Sequence, residues 1–211
     1  RRNARRPRRP PMKHLPTLLL HEIRMLIISP ATYVAAVLFL MLMGLLYLLA
    51  LQDAARFPTE TLPSETFFQL FYLPVWFMVP LLTMRSIAEE RRQGTLETLM
   101  STSASGLAVV VTKFLGAYVF YVLLWLLTLA FPLIAAYTLP HTGLEERLLD
   151  IPSLAGGYTF IALSGSFYIA VGIFSSSLTR TQLVAGMLSF CVLFMITVSG
   201  RLIVEYTLPA V

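Results

Sequence analysis

The chain has 211 residues, of which 57% are hydrophobic and only 13% charged, with a mean hydropathy of +0.75. A soluble domain carries about 25% charged residues, so the composition excludes one and specifies an integral membrane protein. The net charge of +5 does not signal a nucleic-acid-binding fold: six arginines and no acid lie in the first eleven residues, and the remainder has 10 basic and 11 acidic residues, a net of −1.

The basic stretch 1–11, RRNARRPRRPP, is too polar to build a core and reads as a disordered tail. It is either an extension ahead of a start at Met12 or a polybasic patch for anionic lipid. Residues 12–211 read as one transmembrane domain. The only cysteine, Cys191, sits in an apolar run, so neither a disulfide framework nor a cysteine metal site is expected.

Residues 17–28, TLLLHEIRMLII, mix leucine and isoleucine with His21, Glu22 and Arg24. This predicts an interfacial amphipathic helix leading into the membrane. His21 and Glu22 could form a ligand pair, but no second histidine follows four residues on, and a polar face at headgroup level is the better reading.

A helix needs about 20 apolar residues to cross about 30 Å of hydrocarbon. Five segments qualify, at 31–51, 67–84, 114–137, 154–174 and 182–204. Ser29 suits the N-cap of the first and Pro30 its first helical position. Pro74 and Pro80 predict a kink in the second, and Pro132 lies near the far end of the third. In the fourth, Ala162, Ser166 and Ala170 recur every four residues beside Gly165 and Gly172, a surface for close helix packing.

Short-loop Lys and Arg set the orientation. Lys13 and Arg24 precede the first span, Arg85, Arg91, Arg92 and Lys113 follow the second, and Arg180 follows the fourth. The opposite loops carry Arg56, and Arg147 among Glu145, Glu146 and Asp150. The N-terminus and the 85–113 loop are therefore expected in the cytoplasm.

That loop is the richest part of the chain. On a helix Arg85 and Glu89 would be i,i+4 neighbours, and Glu89, Glu90, Arg91 and Arg92 would form a self-compensating charged turn. Gly94 can end this helix and Thr95 can begin another. Leu96, Leu99 and Met100 then share one apolar strip. Such a strip beside charges suits a groove on a partner; the plainer alternative is a cap on the chain's own bundle.

Other chemistry finds no support. There is no G-x-x-x-x-G-K-[ST] phosphate loop and no H-E-x-x-H. No span holds a histidine to activate a nucleophile, and no charge in mid-span suggests an ion relay.

Residues 84–99 read Met84-Arg85, Ala88-Glu89-Glu90-Arg91-Arg92, Gly94-Thr95, Glu97 and Leu99 in register. This pattern resembles permease subunits of ABC-2 type transporters, especially the gliding-motility branch. Ser29-Pro30 with Tyr33, Leu73-Pro74 with Trp76, Met78 and Pro80, and Gly172, Phe174, Ser176, Leu178, Arg180 and Gln182 continue the resemblance. Ser103 departs from it, standing where the family often has proline.

The resemblance implies an all-α polytopic fold of six spans, an elbow helix before the first, and a short cytoplasmic coupling helix between the second and third. Thr95, Leu96, Glu97, Leu99 and Met100 would dock on a separate ABC ATPase, braced by Arg85, Glu89, Glu90, Arg91 and Arg92. Its motion would pass to spans one, two and five. ATP and Mg would reside on that ATPase and no cofactor on this chain. The partners would be the ATPase, a second permease subunit, identical or different, and membrane lipid, in a bacterial plasma membrane. Five spans against six make the sequence read as a fragment of that fold. The alternative function is a non-transport membrane scaffold that recruits a cytosolic partner through the 85–113 loop.

Overall fold

The computed structural model describes residues 15–56, 62–94, 106–138 and 149–207. The basic tail and the segment 95–105 lie outside the described residues, as does Arg147. Within them every apolar run is helical and no strand occurs, as a backbone in hydrocarbon requires: a helix satisfies its own N–H and C=O groups.

Helix α1 (Leu15–Ile28) leads through Ser29 into α2 (Pro30–Arg56). The second apolar segment is divided into α3 (Pro63–Gln69) and α4 (Tyr72–Thr83), and a short charged helix, α5 (Ala88–Gln93), follows. Then come α6 (Gly106–Thr128), α7 (Ala130–Thr138), α8 (Ile151–Leu178) and α9 (Gln182–Thr207). Among the described residues four helical segments are long and apolar enough to cross a membrane, with α6 and α7 counted together, and five if the bent second segment is one span.

The breaks follow from proline chemistry. A proline removes the N–H that the carbonyl four residues earlier would accept, and its ring crowds that carbonyl. Pro74 acts on Leu70, and α3 and α4 part at Leu70 and Phe71 with a bend of 48°. Pro132 acts on Thr128, and α6 gives way to α7 at Leu129, whose N–H bonds back three residues to Leu126 O at 3.2 Å. Pro80, by contrast, is accommodated inside α4. The kink expected from Pro74 and Pro80 is thus produced by Pro74 alone.

Starts and stops are equally local. Asp150 caps α8 by accepting from Ser153 N at 3.2 Å, with Pro152 in the first turn. Gly94, at φ 71°, ends α5 in the left-handed conformation that glycine adopts without a Cβ penalty.

Helix α4 is the hub and packs on α2, α6, α8 and α9. Met43, Val75, Met78, Tyr121, Trp125, Ile161, Ile169 and Leu193 fill the centre and are almost wholly buried. Trp125 meets Phe39 edge-on at 5.2 Å, and Phe67 meets Tyr47 at 5.5 Å. The outer faces carry exposed apolar side chains such as Leu45, Phe77, Leu163 and Met195, a surface suited to lipid.

Candidate functional site at the charged end of the bundle

One end of the bundle gathers most of its charge. The chain leaves α4 at Thr83 through a turn over residues 84–87, closed by Met84 N on Pro80 O at 2.8 Å and Ser86 N on Thr83 O at 3.0 Å. Helix α5 then begins, and α6, α8 and α9 all hold it.

The first grip comes from α8. No side chain of the preceding residue, Ile87, can cap α5. Instead the fully buried Ser176 Oγ accepts from Ile87 N at 3.1 Å and Ala88 N at 3.0 Å, and donates to Met84 O at 3.3 Å. A residue 88 positions away in sequence thus caps α5 in trans. Ser176→Ala is expected to cost about 0.5–2 kcal/mol, the usual loss for a cap. Hydrogen exchange should localise the effect, with the amides of Ile87 and Ala88 losing protection.

The second grip comes from α9. Glu89 accepts from Arg92 Nη2 at 2.7 Å and Nε at 3.1 Å, and from Gln93 Nε2 at 2.6 Å. Gln182, the first residue of α9, also donates to it. The Arg92 fork, then Gln182 and Gln93, stabilise the carboxylate and hold its pKa down to about 2. Glu89 is therefore anionic throughout the physiological range.

The third grip joins three elements. Lys113, in the second turn of α6, is only 6% exposed. Its Nζ lies 2.8 Å from Glu22 Oε1 on α1 and 2.7 Å from Glu90 Oε1 on α5. Gly116, one turn along α6, lets α1 come close: a Cβ there would lie 3.2 Å from Glu22 Cβ. Consequently α1 packs along α6. Arg85 Nη1 donates to Ser29 Oγ at 2.9 Å, tying the 84–87 turn to the junction of α1 and α2.

Beside these contacts a cleft of about 470 Å³ opens between α1, the start of α2, and α4–α5. Met25, Leu26 and Leu81 form its apolar wall, and His21, Arg85 and Gln93 contribute polar atoms. No three His, Cys, Asp or Glu side chains among the described residues converge as metal ligands.

The structure redistributes the residues singled out in the sequence. Thr95, Leu96, Glu97, Leu99 and Met100 lie outside the described residues. Arg85 sits in a turn rather than on a helix, and it reaches Ser29. Glu89 takes Arg92 at i,i+3 as its ionic partner, Glu90 turns to Lys113, and Arg91 is exposed. On α8, Gly165 and Gly172 are buried, Ala162 and Ser166 half-buried, and Ala170 exposed. The packed stripe is Ile161, Gly165, Ile169, Gly172 and Ser176, one residue out of phase with the expected Ala162–Ser166–Ala170 row.

Ser176 and Gln182 entered the sequence reading only as part of the family pattern, and neither their contacts with α5 nor the structural part of Lys113 was expected. The third span was expected to begin at 114, which left Lys113 in a loop. The helix begins at Gly106, which places Lys113 inside it and buries it. A signal was present: Lys113 is the only charge between Glu97 and Glu145, and Gly116 stands one turn away.

Residues 52–211 match the model of a family described as "ABC-2 family transporter protein". The match takes in α5, Lys113, Ser176 and Gln182, whereas Glu22 precedes it. No curated protein and no solved structure matches the chain.

Proposed function

The chain belongs to the ABC-2 transporter family, and from that premise we propose that it is the permease subunit of an ATP-driven exporter, of the gliding-motility type, in a bacterial plasma membrane. It is a multi-pass membrane component, and its N-terminus and charged end face the cytoplasm. It forms half of a translocation pathway with a second permease, identical or different. ATP and Mg are held by a separate ABC ATPase, as the family resemblance implies; these 211 residues contain no phosphate loop. That ATPase docks on residues 95–101, with Leu96, Leu99 and Met100 in its groove and Thr95 and Glu97 beside them.

The observation that carries this reading is the convergence of α6, α8 and α9 on α5, immediately before the docking segment. A push on residues 95–101 reaches α5 through Gly94. Three grips then pass it on: Lys113 to the third span and α1, Ser176 to the fourth, and Gln182 to the fifth. To spans one, two and five, which the resemblance implies, this route adds the third and fourth. Arg85 adds a lesser connection to the start of the first span through Ser29.

Co-purification with a candidate ABC ATPase from the same genome tests the proposal. The unmodified chain should form a complex and raise ATP turnover at least several-fold. The double variant Leu96→Glu, Leu99→Glu should lose both, since each charge must be desolvated in an apolar groove. A complex that survives the double variant, or one that never raises ATP turnover, would favour the scaffold function instead.

A further inference from the structure

At the opposite end of α9 lies Arg201, within the expected fifth span rather than in a loop. Arg201 Nη2 donates to Gln69 O at 2.8 Å, and Nη1 to the Tyr72 hydroxyl at 3.2 Å. Its guanidinium carbon stands 3.9 Å from the centroid of the Tyr72 ring. These contacts fall on the two sides of the break between α3 and α4.

The backbone explains why a donor is needed there. In an unbroken helix Leu70 O would accept from residue 74, but residue 74 is proline and has no N–H. Leu70 O accepts instead from Leu73 N at 3.2 Å. That N–H was the natural donor for Gln69 O. Phe71 N meanwhile goes to Phe68 O at 3.4 Å. The shift therefore strands the middle carbonyl of three, that of Gln69. This carbonyl lies on the exposed face near the end of α9, and among apolar neighbours an unmet carbonyl is costly, so a donor from a neighbouring helix stabilises it. Arg201 supplies it, and Tyr72 holds the guanidinium in place by stacking and a hydrogen bond.

We infer that Arg201 is the latch of the second span: it replaces the backbone donor that Pro74 removes and so locks the bend between α3 and α4. Pro74 creates the need and Arg201 meets it, although they are coupled only through the hydrogen-bond register between them. The bend of the second span is thereby under the control of the fifth. Any parting of α9 from the α3–α4 break must first withdraw the donor from Gln69 O. This assignment stands independently of the docking proposed for residues 95–101.

The test is a distance measurement across the bend in detergent-purified protein. With Cys191→Ser as background, spin labels at Glu65→Cys and Phe77→Cys occupy exposed sites on α3 and α4. Electron–electron resonance should give one narrow distance. Arg201→Ala should broaden or shift it, and Arg201→Lys, which keeps a cation and a donor, should recover the narrow distance in part. Pro74→Ala restores the N–H at position 74, so Leu73 N can return to Gln69 O. In that background Arg201→Ala should change nothing.

An Arg201→Ala distribution identical to the parent's would overturn the latch, since Pro74 would then set the bend unaided. A change on adding Arg201→Ala to Pro74→Ala would also overturn it, because a merely structural arginine acts alike in both backgrounds. Should Arg201→Ala alone fail to fold, this second comparison decides the matter by itself.

Discussion

Lys113→Met should destabilise the protein by about 3 kcal/mol, at the low end for removing one partner of a buried ion pair. The lysine side chain is 5% exposed, and the Glu22 and Glu90 side chains it bridges are 24% and 20% exposed. Removing the ammonium leaves two carboxylates converging on an apolar methionine. Water reaches them in part, which keeps the cost from rising further. The triple variant Lys113→Met, Glu22→Gln, Glu90→Gln removes that repulsion and should recover much of the loss. Denaturant unfolding in micelles, followed by the fluorescence of Trp76 and Trp125, would measure both. If Lys113→Met melted like the parent, the three-way bridge would contribute little and α1 would be held by apolar packing alone.

The second large effect is expected where α8 crosses α4. A Cβ on Gly172 would lie 2.4 Å from Thr83 Oγ1 and 2.9 Å from Thr83 Cβ. Rotating Thr83 offers no escape, because its own Cβ is too close and its hydroxyl is tied to Val79 O at 2.8 Å. Gly172→Ala must therefore push the two helices apart, at about 1–3 kcal/mol for an overpacked core. Gly165→Ala belongs in the same range, since its Cβ would lie 2.2 Å from the ring of the buried Tyr121. Gly156→Ala is the control: nothing lies within 4 Å, and alanine is the better helix former. Thermal melts should place both packed variants below the parent and Gly156→Ala at or above it. Equal melting of Gly172→Ala and Gly156→Ala would mean that α4 and α8 can separate at little cost.

The contrast between the packed glycines and Ala170 shows where sequence reading runs out. All five residues chosen on the fourth span are small, and all sit in one apolar run. In a soluble helix a polar face would have identified the buried side. In a membrane helix the lipid-facing side is as apolar as the packed side, so composition reveals a span without revealing its rotation. The real stripe includes Ile161 and Ile169, which a search for small residues excludes.

Local chemistry, in contrast, was readable residue by residue. Apolar length identified membrane helices. Gly94 announced the end of α5, Pro74 a bend, and the residues from Met84 to Leu99 the family. Each depends on neighbours within a few positions: a missing N–H, a positive φ, or about 20 apolar residues in a row. The sequence alone therefore determined that the chain is an all-helical membrane protein with a charged helix between its second and third spans.

Tertiary structure decided what that helix is fastened to. Glu22 and Lys113 are 91 residues apart in sequence, Glu89 and Gln182 are 93, and Gln69 and Arg201 are 132. Periodicity cannot register a pairing over such distances. Each pairing depends on which helices pack together: burial forces the choice for Lys113, whereas the Glu89–Gln182 and Gln69–Arg201 partners are simply those that the packed helices bring within reach.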